Sequence, residues 1–428
     1  MPMSARTAHR FACLLTVLAS LAPLASIATA QAPRADSLIR GFDPVRLRRI
    51  DTYMQSQVDS SRIAGAVALV LRDGQVVYER PFGWADREAR RRMGSDAMFR
   101  IASQTKALTS IAAMMLIEEG KLALNNPVGR FIPSYARTTV MVNGSVVPAR
   151  RPITIRDLLT HTAGISYGSD SAVASLYRTK KLGPVAGAGG WYILDRDEPV
   201  CATMETVATL PFVRQPGDAW VYGYATDILG CVVERVSGMS LDEFFRTRIT
   251  GPLGMNDTHF FVPLPKTDRL VAVYASDTSN RVSRAPEGAM GQGHFVSGPR
   301  RNFSGGAGLV STARDYARLL QMLLNGGQLD GVRILSPASV KLMATNQIGT
   351  LYPTPGQGFG LGFSIVERVG ADNSLTSEGT YGWGGAYASQ GKIDPAERLV
   401  LVFMINQLPN RSDVASKFPT LVYQALVR

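Results

Sequence analysis

The spacing of apolar residues changes repeatedly along this chain, and each change marks a different kind of element. Asp43-Pro44 has the make-up of a helix start, an N-capping carboxylate followed by proline at the first helical position. Val45, Leu47, Ile50, Met54 and Val58 then recur on one face and predict an amphipathic helix. Residues 64–71 and 76–82 are instead rich in β-branched side chains and flank Asp73-Gly74, the strongest hairpin signal in the sequence. Asn143-Gly144 predicts a second hairpin within residues 140–147. Residues 103–119 have helical spacing through Ala107, Ile111, Ala112, Met115 and Leu116, with Gly120 placed to end the helix.

Short helices are predicted over residues 155–159, 204–210 and 226–236. The glycine- and alanine-rich residues 183–190 read as a surface loop, because they lack the strand-then-helix setting of a phosphate loop. A further helix is predicted over 312–324, with Leu319, Leu320 and Leu323 on one face, and strands over 360–366, 387–393 and 399–405. Strands open and close the chain with helices between them. That order predicts an α/β domain built from residues 31–115 and 305–428, with a mainly helical domain, 116–304, inserted.

Composition changes the picture mainly at the N-terminus. An apolar run over residues 11–27 follows Arg6 and Arg10, and Ala28-Thr29-Ala30 gives a small-x-small cleavage pattern before Gln31. Residues 1–30 therefore read as a signal peptide, which predicts an exported protein, periplasmic or secreted. An uncleaved membrane anchor is the competing reading, but Pro23 interrupts the run and no later stretch reaches the roughly 18 apolar residues of a membrane helix. With 45% hydrophobic and 19% charged residues, the chain is too apolar to be disordered. The formal net charge of +12, lowered by two when Arg6 and Arg10 leave, is scattered along the sequence. Its densest group, Arg87, Arg90, Arg91 and Arg92, includes Asp86 and Glu88 and lacks the aromatic residues of a nucleic-acid surface. Cys13 leaves with the leader, so Cys201 and Cys231 remain, as a disulfide or as two small buried hydrophobes. Those two, with the dispersed His161, His259 and His294, make no metal site.

Ser103-Gln104-Thr105-Lys106 is the first candidate for chemistry. A serine hydroxyl becomes a good nucleophile only when a base takes its proton, and positions i and i+3 share one face of a helix. At a helix start Ser103 also gains the free N–H groups and the positive end of the dipole. Apolar or small neighbours (Ala102, Ala107, Leu108, Ile111) shield Lys106, and burial favours a neutral amine. Taken alone, the pattern also fits an N-capping serine beside a solvated lysine.

The surroundings favour the chemical reading. The segment 99–106 resembles the nucleophile segment of serine β-lactamases and penicillin-binding proteins. Leu158-Leu159-Thr160-His161-Thr162-Ala163-Gly164 resembles a segment of class C β-lactamase-like hydrolases, with His161 read as a structural, hydrogen-bonding residue. Pro216-Gly217-Asp218-Ala219-Trp220-Val221-Tyr222, Ser304-Gly305-Gly306-Ala307-Gly308-Leu309 and Tyr381-Gly382-Trp383-Gly384-Gly385 follow in the family's order. The resemblance implies a β-lactamase/transpeptidase-like fold, an antiparallel sheet flanked by helices. It implies Ser103 as nucleophile, Lys106 and Tyr222 as proton carriers, and the N–H groups of Ser103 and Ala386 as an oxyanion hole. Trp383, Gly384 and Gly385 would line the substrate site, with no metal or organic cofactor.

Two departures redirect the expected substrate. Class C β-lactamases carry tyrosine-x-asparagine and lysine-threonine-glycine where this chain has Tyr222-Gly223-Tyr224 and Trp383-Gly384-Gly385. An amide for the lactam side chain and a cation for its carboxylate are both missing. A tryptophan-glycine-glycine motif resembles family VIII carboxylesterases, so the expected activity is hydrolysis of small-molecule carboxylic esters. The alternatives are amide hydrolysis, as a β-lactamase or D-alanyl-D-alanine carboxypeptidase, and a non-catalytic relative that binds peptidoglycan or a partner. Gly164-Ile165-Ser166-Tyr167-Gly168 also matches a nucleophile elbow, but without the strand that such an elbow requires.

Overall fold

The computed structural model describes residues 38–186 and 190–428, so the expected leader and Cys13 lie outside the described residues. Asp43 caps the first helix, Pro44–Asp59, by accepting from the Val45 N–H at 2.8 Å. Leu47, Ile50 and Met54 are buried as the spacing predicts, whereas Val45 is 62% exposed. Its place in the first turn points it away from the sheet, so the apolar stripe begins at Leu47.

Asp73 and Gly74 both take positive φ, 50° and 74°, which gives the tight turn between strands Gly65–Arg72 and Gln75–Asp86. Gly65–Arg72 is buried along nearly its whole length because it lies inside the sheet rather than at an edge. Eight strands run in the order Gln357–Phe359, Ser364–Val366, Tyr381–Gly384, Gln390–Asp394, Leu399–Met404, Gly65–Arg72, Gln75–Asp86, Arg91–Arg92, each antiparallel to its neighbour. The two ends of the chain meet at the centre of this sheet, in register from Val67↔Met404 to Arg72↔Leu399.

One face of the sheet packs on the terminal helices Pro44–Asp59 and Val414–Tyr423, through Ala66, Ala68, Val70, Leu401 and Phe403. The other face carries Val67, Leu69, Val400 and Val402 into a larger core with the helix Ala313–Leu324, and this core continues into the helical middle of the chain. That middle contains the helices Ile155–Leu159, Ala174–Thr179, Val200–Ala208, Ala225–Ser237 and Leu241–Phe245. The Asn143-Gly144 hairpin forms between Thr139–Val142 and Ser145–Pro148. No helix among the described residues is long and apolar enough to cross a membrane.

Three expectations are corrected by packing. Of the strand expected over 360–366 only Ser364–Val366 forms; residues 360–363 are the turn that joins it to Gln357–Phe359, because Gly362 turns back at φ 95° against the helix Thr105–Glu118. A Cβ at Gly362 would lie 2.3 Å from Ser110 Oγ. The strand expected over 387–393 starts only at Gln390, since residues 385–389 reverse direction with the Gly385 N–H bonded to the Ser389 carbonyl. Residues 183–190 are not a plain surface loop. Gly183 and Gly190 are both buried and close on each other, while 187–189 lie outside the described residues.

Cys201 and Cys231 form a disulfide that joins the helices Val200–Ala208 and Ala225–Ser237 across 30 residues of chain. Closing a loop of that length restricts the unfolded chain and contributes about 3 kcal/mol. Alkylation without reductant is expected to find no free thiol, and Cys201→Ser/Cys231→Ser to lose about 3 kcal/mol in urea unfolding.

Candidate active site

Phe99-Arg100 pairs with Val310-Ser311, and the Ile101 N–H bonds the Leu309 carbonyl, which fixes the chain just ahead of Ser103. Ala102 then turns with φ 42°, a left-handed conformation that costs an alanine about 1 kcal/mol. A short 3-10 turn, Ala102–Gln104, leads from there into the helix Thr105–Glu118. Residues 105–116 of that helix are all buried, so it runs through the core rather than along it. Ser103 sits at the buried N-terminal end, where an N–H has no intrahelical partner, and it lines the main cleft.

Lys106 is 1% exposed. Its Nζ lies 3.2 Å from Ser103 Oγ, 3.0 Å from the Tyr167 hydroxyl and 2.8 Å from the Gly306 carbonyl. Three oxygens within hydrogen-bond reach satisfy the buried amine, the condition for burying a lysine at all. Nζ also stands 4.7 Å from the centroid of the Tyr222 ring. Tyr222 therefore joins the site by its ring face, not through a hydrogen bond to the lysine. Its hydroxyl accepts from Trp383 Nε1 at 3.1 Å.

Tyr167 is the residue that sequence reasoning missed. It follows Ser166 in the elbow-like stretch 164–168, where the linear motif points to the serine and not to the tyrosine. The Ser166 hydroxyl only accepts from the Gly168 N–H, at 3.0 Å, and fastens its own turn. Burial, then the neighbouring Tyr222 and Asp227, push the Tyr167 pKa well up, so it remains a neutral phenol able to donate. His161 packs its ring 4.8 Å from that of Tyr222. The expectation of a hydrogen-bonding role for it is corrected: Nδ1 is buried without a partner. Burial first and Lys106 second hold its pKa far below the usual histidine value, so the ring is uncharged.

The glycine-rich strand closes the site from the opposite side. A Cβ on Gly385 would fall 2.4 Å from the Ile101 carbonyl oxygen, so only glycine lets this segment lie against the turn that carries Ser103. Ala386 follows at the cleft surface, and its N–H has no acceptor in the protein among the described residues. The cleft encloses about 560 Å³ and is walled near Ser103 by Tyr167, Trp191, Tyr222, Trp383 and Gly384. Trp191 was not foreseen; it stands edge-on to Tyr387, ring centroids 5.6 Å apart. Tyr224 is fully buried and faces away from the cleft. Its hydroxyl donates to the Gly190 carbonyl at 2.5 Å and accepts from the Gly183 N–H at 3.4 Å, which clasps the two ends of the loop that delivers Trp191.

The Beta-lactamase family model matches residues 50–425. Protein Rv1367c of Mycobacterium tuberculosis is 36% identical over 373 residues, 83% of this chain and 88% of that protein. Esterase EstB of Burkholderia gladioli is 32% identical over 370 residues, 84% of this chain and 90% of its own. Among solved structures, EstCE1, described as a hydrolase with promiscuous acyltransferase activity, matches with a TM-score of 0.74 at 29% identity. That match covers 90% of this chain and 99% of EstCE1.

Two outcomes follow from this geometry. Gly385→Ala is expected to fold and to lose about 100-fold in kcat/KM for any substrate turned over, since displacing the strand by a fraction of an ångström misplaces the reacting groups. His161 and His259 both have lowered pKa values, burial being the first cause for each. The unfolded chain therefore takes up protons that these rings refuse, and stability falls as pH drops through the unfolded value of about 6.5. Urea midpoints at about pH 7.5 and 5.5 should show that fall, and a smaller one in His161→Phe.

Proposed function

This chain is a serine hydrolase of the Beta-lactamase family, with that family's large antiparallel sheet flanked by helices, and from that premise we propose that its substrates are carboxylic esters. The single observation that carries the substrate reading is the side chain at the third motif. Trp383, whose indole N–H is engaged by Tyr222, stands where binding a lactam carboxylate would call for a cation. The esterase name of the EstB relative supports the same class.

In the reaction, the Ser103 hydroxyl passes its proton to the Lys106 amine 3.2 Å away as Oγ attacks the ester carbonyl carbon. The N–H groups of Ser103 and Ala386 hold the oxyanion. Collapse breaks the bond to the alkoxide, which leaves as an alcohol after taking a proton from the Lys106 side, through the phenol of Tyr167 or Tyr222. Water then repeats the sequence on the acyl-enzyme and releases the acid. The neutral state of Tyr167 and its 3.0 Å contact with Lys106 support its place beside Tyr222 in that relay. Residues 1–30 direct export to the periplasm or medium, and the Cys201–Cys231 bridge supports an oxidising destination.

A nitrophenyl butyrate assay beside a chromogenic cephalosporin tests the proposal. Ester turnover is expected, with little cephalosporin turnover; Ser103→Ala should lose at least about 1,000-fold in kcat, and Ser166→Ala should stay active. Full activity in Ser103→Ala would overturn the nucleophile, and preferential cephalosporin turnover would overturn the substrate class.

A further inference from the structure

Asp227 is a fully buried carboxylate in the first turn of the helix Ala225–Ser237. Its Oδ1 accepts from Ser304 Oγ at 2.5 Å and from the Gly306 N–H at 3.0 Å, and Ser304 Oγ accepts in turn from the Ala307 N–H. Its Oδ2 is buried with no hydrogen-bond partner among the described residues. Gly306 is pressed against it, since a Cβ there would lie 2.3 Å from Oδ2. The same glycine presents its carbonyl to Lys106 Nζ at 2.8 Å. One residue thus gives its N–H to the Asp227 carboxyl and its carbonyl to the Lys106 amine, so a single backbone position is fixed from both sides.

Four ionisable groups from separate elements lie within electrostatic reach of Asp227. Lys106 approaches from the helix Thr105–Glu118, Tyr167 from the loop after Ile155–Leu159, Tyr224 from just ahead of its own helix, and Tyr135 from the 3-10 turn Pro133–Ala136. Burial keeps the three phenols neutral, so Lys106 is the one basic group among them. Burial also raises the pKa of Asp227, and Lys106 is the largest influence opposing that rise.

We propose that Asp227 is a positioning residue for the reaction: acting through Gly306, its negative charge holds Lys106 beside Ser103. The inference rests on Ser103 as nucleophile and Lys106 as its base. A residue that merely fastened the 304–307 turn would need acceptor oxygens but no charge, and asparagine has the acceptor without the charge. In Asp227→Asn the expected result is an unchanged fold and a KM within about twofold of wild type. Both kcat and the rate of Ser103 labelling by a fluorophosphonate should fall about 10- to 100-fold. Wild-type rates in Asp227→Asn would overturn the proposal. Absence of Ser103 labelling in the wild type would overturn the nucleophile instead, so the two failures are distinguishable.

Stability provides a test that does not depend on activity and survives a poorly folding variant. Lys106→Met leaves Asp227 without its counter-charge and is expected to lower the urea midpoint. Adding Asp227→Asn should then restore part of that loss. If the two losses add, the charges do not communicate and the proposal fails.

Discussion

A primary amine sealed inside the core is the constraint on which the rest of this molecule depends. Lys106 can be buried only if every proton it carries has an acceptor, because an unpaired ammonium in a low-dielectric interior costs several kcal/mol. Its acceptors come from three stretches of chain that are far apart in sequence: Ser103, Tyr167 and Gly306. None of these segments can settle without the others. The left-handed turn at Ala102, the bare backbone at Gly306 and the close approach at Gly385 serve that one assembly.

Much of this was legible in the sequence where the cause is local. Asp43-Pro44 and Asp73-Gly74 set their turns by their own side-chain and backbone chemistry, and both appear where expected. Ser103 and Lys106 share a helical face at any burial, so their meeting was also readable. Tyr167 was not, because it reaches Lys106 only through positive-φ turns at His161, Gly164 and Gly168, which a linear pattern does not reveal. The resemblance puts Tyr222 beside Lys106; that it presents its ring face to the amine is not something spacing reveals. The strand expected over 360–366 failed because Gly362 answers to Ser110 on the nucleophile helix rather than to its own neighbours.

Tyr224 and Trp383 both direct their polar atoms at the protein itself. Tyr224 spends its hydroxyl on the loop at Gly183 and Gly190, and Trp383 spends its indole N–H on Tyr222. Both positions support walls rather than reach for ligand. The cleft they help to wall combines aromatic surface, from Tyr167, Trp191, Tyr222 and Trp383, with polar side chains such as Gln357, Asp372 and Lys392.

The pairing of Gly65–Arg72 with Leu399–Met404 sets when this protein can become itself. A growing chain makes Gly65–Arg72 more than 300 residues before its second partner, Leu399–Met404. For nearly all of synthesis the strand presents an open, apolar edge of unpaired amides and carbonyls, an invitation to any other strand within reach. Contacts of such long range also form slowly once they are possible. Until both strands exist, that unpaired edge is the part of the molecule most open to mispairing. Truncation near the C-terminus would remove the strand that closes the central sheet, so a molecule stalled there never becomes a smaller version of the enzyme.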